Sequence, residues 1–158
     1  MNEDDFTTED TEIAERRKRV NAVTERVIGA AIEVHRALGP GLLESCYEMC
    51  LCHELDSRGI SFRRQHSIPI HYKGIQLDCG FRADLVVENT VVVELKAIES
   101  ILPIHEAQLI SYLKLSKLSA GLLINFNVQL LKHGIRRKVL NFQEEVSFST
   151  QRPLRLCG

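Results

Sequence analysis

The sequence has no excess of charge of either sign, with 20 Lys and Arg against 21 Asp and Glu, a net charge of −1 and a pI near 6.6. That balance excludes a global pull toward nucleic acid or an anionic membrane, so any phosphate binding has to be local. No apolar run approaches the roughly 20 residues of a membrane span, and the acidic first residues lack the apolar core of a secretory leader. A cytoplasmic protein is expected. There is no internal repeat and no paired C-x-x-C. The five cysteines, at 46, 50, 52, 79 and 157, are an odd number without a secreted framework, which predicts reduced thiols. Cys46, Cys50, Cys52 and His53 lie close in sequence but lack the two-knuckle spacing of common zinc sites. Set in a helical pattern with nothing to orient a base, they read as small apolar residues rather than ligands or nucleophiles.

What is present is one domain's worth of chain, 158 residues with 44% apolar and 26% charged side chains. Residues 1–18 are rich in Asp, Glu, Thr and Arg and read as a disordered or frayed tail. Val20, Val23, Val27, Ala31, Val34 and Leu38 then recur at helical spacing and end at Gly39-Pro40-Gly41. A second helix is predicted from about Leu42 to Arg58, capped by Gly59, with Leu43, Cys46, Tyr47, Cys50, Leu51 and Leu55 as its buried stripe. Ser61–Tyr72 reads as an edge or irregular strand because of Pro69, and Ile75–Val87 as the next strand. Val91–Lys96 makes a third strand, and Pro103 starts a helix to about Lys117. That helix is expected to turn Ile104, Ala107, Ile110 and Leu113 or Leu118 to the sheet and to carry His105, Gln108 and Tyr112 on a polar face. The apolar run Ala120–Asn125 predicts a strand buried on both faces, and Leu130–Leu140 adds terminal strand or hairpin material. The result is an α/β sandwich whose third strand, crossover helix and buried strand form a right-handed βαβ unit.

The stretch 81–96 holds acids where apolar residues would be cheaper. A three-residue loop, Glu88-Asn89-Thr90, pairs Val87 with Val91 and sets Asp84 opposite Glu94. Like charges opposed across strands are destabilising. Lys96, on the same face as Glu94, can offset one charge, and a divalent cation can offset the rest. Glu44 sits at the edge of the second helix's stripe, either as a third acid or as a helix-start glutamate favoured by the macrodipole. Carboxylates are hard ligands suited to Mg²⁺ or Mn²⁺ with a substrate phosphate, and Lys96 can orient a water or neutralise charge on phosphate. The competing reading is a structural ion-pair cluster of Arg82, Asp84, Glu94 and Lys96. His105 reads as a polar surface or supporting histidine, since Mg²⁺ disfavours imidazole, while Tyr72 and Phe81 read as core. Arg16-Arg17-Lys18-Arg19 and Arg136-Arg137-Lys138 are either local phosphate contacts or solvated faces.

Asp84 followed by Glu94-Leu95-Lys96, with Gln108 and Tyr112 as Q-x-x-x-Y on the next helix, resembles the PD-(D/E)xK nuclease superfamily and its exonuclease branch in particular. Gly41-Leu42-Leu43-Glu44-Ser45-Cys46-Tyr47 is similar to the signature of the GxxExxY protein family. Ala83 stands where the superfamily's pattern has proline. The resemblance runs from about residue 23 to 140. It implies a restriction-endonuclease-like αβββαβ core with a mixed sheet flanked by helices, in a domain spanning 19–143 with a C-terminal extension over 144–158. It also implies Asp84, Glu94 and Glu44 as metal ligands, Lys96 as the catalytic lysine, and Gln108 and Tyr112 lining the site. The expected function is metal-dependent hydrolysis of phosphodiester bonds in DNA, or less favourably RNA. The rival is a non-catalytic module of the same fold that binds nucleic acid or a protein partner. The small size suggests that any specificity comes from a homo-oligomer or a partner.

Overall fold

The computed structural model describes residues 7–140. Residues 1–6 of the charged tail, the predicted domain end at 143, and the extension over 144–158 with Cys157 lie outside the described residues.

The first helix, α1 (Thr8–Leu38), starts well before the apolar periodicity does, so residues 8–18 are helical rather than frayed. The Thr7 hydroxyl accepts the Asp10 N–H (3.2 Å), and the Asp10 carboxylate accepts the Thr7 N–H (3.3 Å), a reciprocal cap that satisfies free donors of the first turn. The residues from Thr8 to Arg19 are almost all exposed, which is why no apolar stripe betrays them. From Val20 onward α1 buries Val23, Val27, Ala31 and Val34.

Helix α2 (Glu44–Ser57) is followed by β1 (Phe62–Ser67). A short hairpin comes next, β2 (Ile70–Tyr72) and β3 (Ile75–Leu77), paired only with each other. Proline at 69 ends the first strand, and the predicted strand over 75–87 is interrupted at 78–81 before β4 (Arg82–Val87). Tyr72 therefore lies on the side hairpin, 58% exposed, and is not core. Strand β5 (Val91–Lys96), helix α3 (Pro103–Ser116), β6 (Ala120–Asn125), a 3₁₀ turn (Leu131–Gly134) and β7 (Ile135–Val139) complete the chain. The main sheet has the order β1-β4-β5-β6-β7, with β5 and β6 parallel and every other neighbouring pair antiparallel.

Helices α1 and α2 cover one face over Leu85, Val91, Val93, Leu95, Leu122 and Ile124. Helix α3 covers the other, where Leu109 and Leu113 meet Ala83, Val86, Val92 and Leu123. Every residue of β6 is buried, as a central strand between two helical layers requires. Gly121 lets α3 approach that strand, since a Cβ there would sit 2.7 Å from a Leu109 methyl carbon.

The buried faces of two helices differ from expectation. On α2 the stripe is Tyr47, Glu48, Leu51 and Leu55, while Leu43 is 73% exposed and Cys46 is also exposed. On α3 the inward residues are Leu109 and Leu113, and Ile104 and Ala107 face solvent. Tyr47, Leu51 and Leu55 on α2 and Leu113 on α3 are buried as expected.

Candidate active site

Strands β4 and β5 pair as the three-residue loop requires: Val87 with Val91, Val86 with Val92 and Leu85 with Val93. Past Leu85 the main-chain ladder gives way to side chains. The Asp84 N–H donates to Glu94 Oε1 (3.1 Å), and the Leu95 N–H donates to Asp84 Oδ2 (2.8 Å). Each acid thus satisfies a main-chain donor of the opposite strand, which offsets part of the repulsion between them. No ion-pair cluster with Arg82 forms among the described residues.

The electrostatics still record the crowding. Glu94 is 6% exposed, and burial followed by repulsion from Asp84 pushes its carboxyl up to about 8. Asp84 is also raised, first by burial and then by Glu48, against the pull of the Leu95 N–H. Glu44 is raised by burial, with Lys96 pulling it down and Asp84 and Glu48 pushing it up. Lys96 lowers all three acids, so it shares their field as its place in Glu94-Leu95-Lys96 predicts. Burial, then Glu94 and Asp84, pushes the Tyr112 phenol up to about 12, so it is a neutral hydrogen-bond donor at ordinary pH.

Tyr47 explains the spacing of the G-x-x-E-x-x-Y stretch. Its ring is fully buried and stacked on Phe126 (4.5 Å between centroids). Its hydroxyl donates to the Gly39 carbonyl (2.6 Å) and accepts the Leu42 N–H (3.1 Å). Gly39 (φ +67°) and Gly41 (φ +103°) take left-handed backbone that a side chain would strain. The staple fixes the loop that delivers Glu44 as the first residue of α2.

On α3, Tyr112 is half-buried and stacks on Phe81 (4.1 Å), which brings it beside the two strand acids. Gln108 lies one turn earlier on the same side, exposed, and makes no hydrogen bond among the described residues. His105 Nδ1 accepts the Leu102 N–H (2.9 Å) and braces the start of α3. Asn125 is 2% exposed and clamps the segment leaving Lys96, accepting the Ile98 N–H (3.1 Å) and donating to the Ile98 carbonyl (2.9 Å). The basic cluster over 136–138 is occupied by contacts within the fold, since Arg137 bonds Asn21 (2.6 Å) and Lys138 pairs with Glu106 (3.0 Å).

Two site residues escaped sequence reading. Glu48, one turn after Glu44 on α2, is 7% exposed and accepts from Arg64 Nε (3.1 Å) and Gln65 Nε2 (2.8 Å). Its i,i+4 relation to Glu44 was the available signal. Gln65 also reaches Asp84 Oδ1 (3.3 Å), and nothing in its sequence context marks it.

A five-stranded mixed sheet between helical layers, with an acid on one central strand facing Glu-x-Lys on the next, is a restriction-endonuclease-like architecture. The family model of the PD-(D/E)XK nuclease superfamily matches residues 21–138, and the chain belongs to that superfamily. No curated protein and no solved structure gives a significant match. Nucleases of this superfamily generally use divalent metal ions and act on nucleic acid. The donor set suits such an ion: two adjacent carboxylates, both with raised pKa, are hard oxygen donors in want of positive charge. Among the described residues no group of three His, Cys, Asp or Glu side chains forms a ready-made cage. The expected ligand set of Glu44, Asp84 and Glu94 is therefore not gathered into one such group here. No helix among the described residues is long and apolar enough to cross a membrane.

Proposed function

We propose that this chain is a metal-dependent nuclease of the GxxExxY kind that hydrolyses phosphodiester bonds of DNA, with RNA the less favoured substrate. The observation that carries the reading is the pair Asp84 and Glu94 meeting where the β4–β5 ladder ends, with Lys96 in the same field. Asp84 and Glu94 would hold Mg²⁺ or Mn²⁺, with Glu44 completing the site from α2. The ion would supply Lewis-acid polarisation of a phosphoryl oxygen and lower the pKa of a bound water. Lys96 orients the attacking water or neutralises charge gathering on the phosphate. Tyr112 offers a neutral phenolic O–H to the phosphate or the water, and Gln108 lines the same approach from the exposed side of α3. The free thiols at Cys46, Cys50, Cys52 and Cys79 suit a reducing, cytoplasmic setting. Sequence preference, if any, would come from a second copy or a protein partner.

Purified protein incubated with linear, circular, single-stranded and double-stranded DNA, and with RNA, tests this. Cleavage is expected with Mg²⁺ or Mn²⁺ and none with EDTA. Asp84→Ala and Lys96→Ala should each lose on the order of 10²-fold or more in rate, the scale of removing a group that stabilises transition-state charge. If both variants cut as fast as the wild type, the catalytic assignment is wrong. Binding without turnover, indifferent to chelation, would instead identify a non-catalytic nucleic-acid module.

A further inference from the structure

Gln65 sits in the middle of β1, flanked by the regular pairs Arg64 with Leu85 and His66 with Ala83, yet its φ is +49°. A non-glycine residue in left-handed backbone within an antiparallel strand is disfavoured by the contact between its Cβ and the neighbouring carbonyl. Glycine would take that conformation freely. A glutamine there implies that the side chain does something a glycine cannot.

Its amide shows what. Gln65 Nε2 carries two N–H donors and has two carboxylate partners, Glu48 Oε1 at 2.8 Å and Asp84 Oδ1 at 3.3 Å. The first partner is itself fixed, since Glu48 is buried on α2 and its same oxygen accepts from Arg64 Nε at 3.1 Å. At the other end, Asp84 Oδ2 is held by the Leu95 N–H. Both Asp84 oxygens therefore have a donor, and together the two donors fix the carboxylate's plane. An amide does this without neutralising the acid, whereas an arginine or lysine in its place would form an ion pair and compete with a cation.

We propose that Gln65 is a positioning residue that orients Asp84 for a divalent cation, using Glu48 on α2 as its anchor. The proposal rests on the metal-site reading of Asp84 and Glu94. Partners of this kind around metal-binding carboxylates typically control affinity by roughly 10- to 100-fold.

The test separates affinity from stability. Gln65→Gly removes the amide and relieves the backbone, and Gln65→Met removes the amide at matched length while keeping the backbone penalty. Each is titrated with Mn²⁺ by calorimetry and unfolded with urea in EDTA. Both variants are expected to bind Mn²⁺ roughly 10- to 100-fold more weakly than the wild type. Gln65→Gly should do so while unfolding at no lower urea concentration than the wild type. Wild-type affinity in both variants overturns the positioning role and leaves the metal site standing. Loss of affinity that only follows loss of folded protein also overturns it. If the wild-type protein itself binds no Mn²⁺, the metal-site reading fails first and takes the role of Gln65 with it.

Discussion

Glu94→Gln is expected to make the metal-free protein more stable while destroying the site. The wild-type carboxyl is buried beside Asp84 and pushed up to about 8 from an ordinary 4.5. For an acid raised in this way, the folded state keeps a proton that the unfolded chain releases between those two values. Stability from this group is therefore complete at acid pH and falls as pH rises through that window, by roughly 1.4 kcal/mol per pH unit. The loss reaches about 3 kcal/mol by pH 7 and somewhat more by pH 8.5. Asp84 and Glu44 are raised too and act with the same sign. His66 is lowered by burial and by Arg63, so its smaller contribution rises with pH just below the ordinary histidine value. Glutamine mimics the protonated acid: its carbonyl can accept the Asp84 N–H as Glu94 Oε1 does, and its amide can donate toward the Asp84 carboxylate. Urea unfolding in EDTA at pH 5.5, 7 and 8.5 measures the difference. The gap between variant and wild type should widen by about 3 kcal/mol from the lowest to the highest pH. With Mg²⁺ present the wild type should regain stability and the variant should not. A wild-type stability that holds or climbs from pH 5.5 to 8.5, or a variant weaker than wild type at pH 8.5, would refute the reasoning.

Three further outcomes follow from single contacts. Tyr47→Phe keeps the stack on Phe126 but strips the Gly39 carbonyl and the Leu42 N–H of their shared partner, and should cost about 1–2 kcal/mol in urea unfolding. Gly134→Ala would press a methyl group onto the Asn125 carbonyl, so a loss of about 3 kcal/mol is expected, read as a lower thermal midpoint. Thr24 is 2% exposed on α1, and its hydroxyl has no partner among the described residues. Thr24→Val should therefore raise stability by about 1 kcal/mol by the same assay.

Much of the scaffold was legible because its signals were local. The β5 and β6 bounds, the Pro103 start of α3 and the Val87–Val91 register each follow from an apolar run, a proline or a loop length. Periodicity placed Leu113 of α3 correctly but failed where packing alone chooses the rest of the face: Ile104, Ala107 and Ile110 fit a helix as well as Leu109 does, and only the sheet decides. It also failed on the first turns of α1, which bury nothing, although Thr7-x-x-Asp10 is a capping signal that a search for caps rather than stripes would have found. The opposition of Asp84 and Glu94 was readable from register. The anchoring of that pair was not, because Gln65 is placed by an unusual backbone angle and Glu48 by the packing of α2 across the face of the sheet.

Those anchors explain why the acids sit at the end of the ladder and not within it. Inside a regular strand pair the main-chain donors are already matched, and a second carboxylate would bring repulsion with nothing to offset it. Where β4 and β5 part, the Asp84 and Leu95 N–H groups need acceptors, and the two acids supply them across the gap. On the other side of β5, Asn125 grips the chain just beyond Lys96, so the lysine is held between a splayed pair and a clamped one. The hydrogen bonds fix the acids in place, and the raised pKa of Glu94 measures the charge conflict that remains. A cation entering between the acids would relieve the conflict while each carboxylate keeps one oxygen on a main-chain N–H of the opposite strand. Chelation should therefore lower stability most at alkaline pH, where both acids are ionised, and least near pH 5, where Glu94 holds its proton.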